Sequence, residues 1–98
     1  MIKVKFFGDV DSQKDYDNLK ATVVDSFQEF YDYEFEDQKN EDDEFEIIFK
    51  GDWSSPDDID EDIIRDICDQ NEIYCSVLID DKTNKTYYYD EDYEFIHE

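Results

Sequence analysis

Glycine, proline, histidine and basic residues are all scarce in this 98-residue chain, which holds two glycines, one proline, one histidine and nine Lys and Arg. With only Gly8 and Gly51 available, no glycine-rich loop exists to cradle a phosphate. Nor does any aspartate run meet the calcium-loop pattern of alternating acids around a central glycine with a closing Glu; both Asp9-Val-Asp11 and Asp57-Asp-Ile-Asp60 fail it. The lone histidine, His97, stands next to the end of the chain, a poor place for a fixed general base. Cys68 and Cys75 lie in no recognisable cysteine–histidine arrangement and read as small apolar core residues in a reducing compartment, with a disulfide between them not required. No basic start is followed by an apolar run of signal length, and no stretch approaches the ~20 apolar residues of a membrane span, so a cytosolic protein is expected.

What the chain has in abundance is acid. Its 31 Asp and Glu give a net charge of −22, a composition that repels nucleic acid and anionic membranes and leaves basic protein surfaces or cations as ligands. Such a charge often marks a disordered tail. Here 39% of residues are hydrophobic and 17% aromatic, more large apolar surface than a disordered acidic segment carries, so residues 1–98 are expected to form one small folded domain. Folding that much like charge costs self-repulsion, and a shaped negative surface explains why it is kept.

Ile2, Val4 and Phe6 alternate with Lys3 and Lys5 before Gly8-Asp9, predicting a strand whose lysines offset acids on one sheet face. From Asp11 or Ser12 as cap, Tyr16, Leu19, Val23, Phe27, Phe30 and Tyr31 recur at helical spacing. On the opposite face of that helix Asp25, Glu29, Asp32 and Glu36 would form a row. Like charges at this spacing cost a few tenths of a kcal/mol per pair, ~0.2–0.5, so the row reads either as a solubilised outer face or as a recognition stripe. Residues 34–44 are expected to be a flexible acidic connection, either a loop or a frayed helix end. Phe45, Ile47 and Phe49 then alternate up to Gly51-Asp52, a second strand, and Trp53 follows as a half-buried anchor.

Ser55-Pro56-Asp57-Asp58 predicts a second helix start, with Ser55 as cap and Pro56 in the first turn. Ile59, Ile63, Ile64 and Ile67 point inward; Asp58, Glu61, Asp62, Arg65, Asp66 and Asp69 point outward. The helix dipole accounts for acid in the first turn only, so Asp62, Asp66 and Asp69 need another reason. Ile73, Cys75, Val77 and Ile79 alternate into a hairpin with a loop over residues 80–85 and a return at Thr86–Tyr89. Tyr93 and Phe95 either prolong that strand or begin a separate tail. Tyr87 and Tyr89 are assigned to the core, and the outward Tyr88 lies beside Asp90, Asp92 and Glu94 as a candidate contact patch. The order β-α-β-α-β-β implies an α+β domain: a mixed or antiparallel sheet with two amphipathic acidic helices on one face.

No enzyme, cofactor or metal site is expected. Carboxylate pairs are so numerous that any glycosidase-like separation arises by chance. In composition, size and layout the whole chain resembles the DNA-mimic inhibitors encoded by phages and mobile elements, acidic folded proteins that occupy the nucleic-acid site of restriction, CRISPR or repair enzymes. The resemblance implies a basic nuclease or CRISPR effector as partner, and it transfers no individual residue. An immunity protein that neutralises a basic nuclease toxin would use the same electrostatics. Adaptation to high salt fits less well, given the lysines and large apolar residues.

Overall fold

The computed structural model describes residues 2–87 and 96–97. The elements run β1 (Ile2–Asp9), α1 (Gln13–Gln28), β2 (Glu34–Lys39), β3 (Glu44–Gly51), a 3-10 turn (Pro56–Asp58), α2 (Glu61–Asn71), β4 (Tyr74–Ile79), β5 (Lys82–Tyr87) and β6 (Ile96–His97). The strands form one sheet in the order β2-β3-β1-β4-β5-β6, every pairing antiparallel, with β1 central between β3 and β4. The fold is α+β, with one strand, β2, more than the alternation pattern predicted before the second helix.

Period-two alternation on the central strands gives the sheet two different faces. Ile2, Val4 and Phe6 of β1 pair with Gly51, Phe49 and Ile47 of β3 and with Ile79, Val77 and Cys75 of β4. Together with Tyr16, Val23 and Phe27 of α1 and Ile64, Ile67 and Cys68 of α2 they form a single buried core, so both helices cover one face. Phe27 sits at its centre, its ring 4.3 Å from that of Phe49 and 5.5 Å from Phe6. Burying such a side chain contributes about 1.5–3 kcal/mol, and eight core positions on the three central strands share the same inward face.

The opposite sheet face carries Lys3, Lys5 and Lys50. Lys3 pairs with Asp81 at 2.5 Å, Lys5 with Glu46 at 3.8 Å and Lys50 with Glu36 at 2.8 Å, the charge-offsetting role expected of the first strand. Ser76 and Thr86, register partners on this face, are buried and share a hydrogen bond at 3.4 Å.

Four local expectations are corrected. The first helix stops at Gln28 instead of running through Tyr31 to Glu36. Past it the Phe30 N–H turns to Phe27 O at 3.1 Å, the Gln28 amide donates to Tyr33 O at 3.1 Å, and Tyr31 and Tyr33 set their rings 5.6 and 4.7 Å from Trp53. Packing on that indole diverts the chain. Residues 34–44 are consequently not a flexible connection: β2 hydrogen-bonds along β3, and Phe35 stands opposite Phe49 on the core face. The second helix begins at Glu61, not at Ser55-Pro56. Asp60 caps it through its carboxylate on Asp62 N at 2.9 Å, while the Asp60 N–H donates to the Tyr31 hydroxyl at 2.8 Å and is lost to any helix entering from Pro56. Last, the hairpin loop is the two residues Asp80-Asp81, not residues 80–85, because both adopt the left-handed backbone of a tight hairpin turn and Ile79 pairs directly with Lys82.

Candidate interaction surface

The bases are largely consumed by local partners. Seven of the nine sit in ion pairs among the described residues: besides the three on the open sheet face, Lys20 meets Asp37 at 3.3 Å, Lys39 meets Asp43 at 3.1 Å, Arg65 meets Glu61 at 2.5 Å and Lys85 meets Asp57 at 3.0 Å. The chain has 31 carboxylates for those few cations, so most of the acid keeps its charge for solvent or a partner. No Lys or Arg occurs from Ala21 through Gln38, and Arg65 is alone among nine acids between Asp52 and Glu72. The base-poor stretches therefore run from the second half of α1 through the connection into β2, and from Asp52 through α2 to Glu72.

The expected row of Asp25, Glu29, Asp32 and Glu36 does not exist as a unit. Asp25 lies in the last turn of α1, Glu29 caps it, Asp32 belongs to the connection and Glu36 is on β2. Glu36 points onto the open sheet face, where the Lys50 ammonium holds its carboxyl below the usual range through a hydrogen bond and its charge. A true row does exist on α2. Asp62, Asp66 and Asp69, spaced four and three apart, are exposed on one side of the helix with axial rises of ~6 and ~4.5 Å. Asp58 lies before that helix and accepts from Ser55 N at 3.2 Å, and Glu61 is bound to Arg65. Tyr88, Asp90, Asp92 and Glu94 lie outside the described residues.

The two helices meet at a groove of about 190 Å³ that brings Glu29 of α1 to the same hollow as Asp66 of α2. Phe30 borders it, 58% exposed and the one large hydrophobic residue so placed among the described residues. Its helical spacing had assigned it to the core. The early end of α1 rotates it outward, and no sequence signal short of locating that end would have found it. Ile63 and Ile67 lie in the same groove, so an apolar floor is flanked by carboxylates.

Acid also occupies positions where backbone energetics favour something else. Among the described residues Asp43 (φ 63°), Glu72 (φ 55°), Asp80 (φ 52°) and Asp81 (φ 67°) are the non-glycine residues with left-handed backbone, and no glycine adopts it. A side chain there costs roughly 1 kcal/mol relative to glycine, less for Asp than for Glu. Both helices further end on acid without a basic residue in the last turn, against the negative end of the helix dipole. Each of these is a small cost borne in the same direction, toward more negative surface.

Among the described residues no three His, Cys, Asp or Glu side chains converge to hold a metal ion. Cys68 and Cys75 are buried free thiols, and burial pushes the Cys75 thiol up, away from nucleophilic thiolate. A larger hollow of about 570 Å³ is lined by Phe7, Lys39 and Tyr74 together with Asp9, Glu44 and Glu46. No helix among the described residues is long and apolar enough to cross a membrane. Comparison with protein-family models, curated proteins and solved structures returns no match.

Proposed function

We propose that this chain is an acidic inhibitor that binds the basic nucleic-acid groove of a nuclease, a CRISPR or restriction effector, or another nucleic-acid-handling protein, and excludes the nucleic acid by mimicking its charge. The observation that carries this reading is the segregation of charge: seven of the nine bases are tied into ion pairs, while Asp62, Asp66 and Asp69 on α2, Asp25 on α1 and its cap Glu29 remain exposed. Rises of ~4.5–6 Å along α2 compare loosely with the ~3.4 Å per phosphate of one DNA strand. A mimic needs charge density on a rigid support more than exact register, and α2 supplies it because Ile64, Ile67 and Cys68 fix its inner face in the core.

Capture of proteins from a cell lysate at low and high salt, followed by challenge with duplex DNA and RNA, tests the proposal. A mimic's partner is a nucleic-acid-binding protein, is retained less at high salt and is displaced by its nucleic acid. A partner held tightly but not displaced rules mimicry out. A second reading, an immunity protein for a basic nuclease toxin, is favoured by the exposed Phe30, since a dedicated partner uses a concentrated apolar contact that diffuse charge does not require. In that case a single toxin is captured and binding survives high salt.

A further inference from the structure

We propose that the groove between the C-terminal end of α1 and the outer side of α2 receives one arginine side chain of the basic partner, with its guanidinium lying on the Phe30 ring and its N–H groups directed to Glu29 and Asp66. This rests on the reading of the chain as a binder of basic proteins and specifies where that binding is anchored.

Three observations converge on this occupant. Phe30 keeps 58% of its surface exposed, so the face of an aromatic ring is available, and a cation over such a face is attracted by the ring quadrupole. Carboxylates flank it, Glu29 at the end of α1 and Asp66 on α2, and neither has a basic partner among the described ion pairs. The floor is apolar, with half-buried Ile63 and buried Ile67, and suits the methylene stem of a long cationic side chain. An apolar occupant would strip water from the two carboxylates and return nothing. Arginine is preferred to lysine because its planar guanidinium stacks on a ring and presents several donors at once, whereas an ammonium is a compact, strongly hydrated point charge.

The anchor also answers a difficulty of diffuse charge. A surface of many similar acids steers a partner but leaves its orientation degenerate. One ring-and-carboxylate seat removes that degeneracy.

Titration of the ¹⁵N-labelled full chain with Nα-acetyl-arginine amide, and separately with the lysine analogue, tests the assignment by amide chemical shifts. Shifts concentrated at 26–31 and 63–70, with arginine bound more tightly than lysine, are expected. Phe30→Leu, which retains apolar bulk and removes the ring, is expected to weaken the arginine site roughly two- to fivefold, and Asp66→Asn to weaken it as well. Because Phe30 is exposed, circular dichroism of both variants should match the parent chain. Shifts spread evenly over all acidic segments, equal binding of the lysine analogue, or indifference to Phe30→Leu would each overturn the proposal. These outcomes are independent of the competition assay: a seat that binds arginine while nucleic acid fails to displace the captured partner sinks mimicry alone, and successful displacement with no local shifts sinks the anchor alone.

Discussion

Trp53 lies so close over Gly51 that a Cβ added at the glycine would stand 2.6 Å from the indole ring. The ring has little room to retreat, because Phe27, Tyr31 and Tyr33 hold it with centroids 6.3, 5.6 and 4.7 Å away. Gly51 is thus the close-approach point that lets β3 end against the aromatic cluster where α1 also ends.

Gly51→Ala is therefore expected to destabilise the domain by about 1–3 kcal/mol, the range for overpacking a filled site. Thermal melting measures the loss, and a red shift of Trp53 emission reports the displaced ring. An unchanged melting temperature would mean that the indole is free to swing away and does not fix the end of α1.

Glu72→Gly is expected to act in the opposite direction. Glu72 follows α2 with φ 55°, its N–H bonded to Cys68 O, and the next N–H, of Ile73, also reaches Cys68 O at 3.1 Å. This helix-ending motif favours glycine at the left-handed residue, and the replacement also removes an anion from the dipole's negative end. A gain of about 0.5–1 kcal/mol should follow. If charge there serves binding, the more stable variant should also associate more slowly with the partner.

These two sites show what could be read in advance and what could not. Alternation at Ile2–Phe6 and Phe45–Phe49 and the spacing of Tyr16, Val23 and Phe27 lead directly to the β1, β3 and α1 core. Tyr33 and Phe35 also alternate with Glu34 and Glu36, a period-two signal that the surrounding acid concealed, so β2 looked like a loop. The end of α1 depends on long-range packing around Trp53, and the start of α2 on a hydrogen bond from Asp60 to Tyr31, 29 residues away. Neither is local information. A charge row from Asp25 to Glu36 requires α1 to continue past Gln28 and is lost with its early end, whereas Asp62, Asp66 and Asp69 lie within one helix and stay together.

Salt is expected to stabilise the fold. With a charge of −22 and most carboxylates outside the ion pairs, self-repulsion opposes the compact state. Raising NaCl from ~0.15 M to ~1 M shortens the Debye length from ~8 to ~3 Å, and the melting temperature should rise across that range. The exposed ion pairs weaken at the same time but contribute little individually. A falling melting temperature would show that those pairs outweigh the repulsion.

Alkali should unfold the protein sooner than its charge alone would suggest. Burial pushes the Tyr16 and Tyr87 phenols above their ordinary value of 10.0, assisted at Tyr16 by its 2.5 Å hydrogen bond to Asp37 and at Tyr87 by the nearby Glu61. The folded state retains protons that the unfolded chain releases, so this stability is complete below pH 10 and lost as pH rises beyond it. Tyr16→Phe should make the alkaline decline of melting temperature shallower. At the acid end the signs reverse: Lys50 and Lys3 hold Glu36 and Asp81 low, so their small contribution disappears as pH falls below the ordinary carboxylate range. A decline with the same midpoint and slope in Tyr16→Phe would remove Tyr16 from this account.

Binding kinetics should separate free acid from paired acid. Converting Asp62, Asp66 and Asp69 to Asn removes three exposed like charges from one face of α2 and touches none of the core residues Ile64, Ile67 and Cys68. Association with the captured partner should slow by roughly tenfold and lose part of its salt dependence, because steering acts on encounter, while dissociation should quicken only by the loss of the Asp66 contact in the groove. Folding stability should hold or improve as repulsion along the helix falls. Neutralising Glu36 and Glu61, whose charges are already matched by Lys50 and Arg65, removes fewer effective charges and should slow association less. Equal effects per charge removed from the two sets, measured by stopped-flow or surface plasmon resonance at several salt concentrations, would mean that total charge alone governs encounter and that the α2 row has no privileged place in the interface.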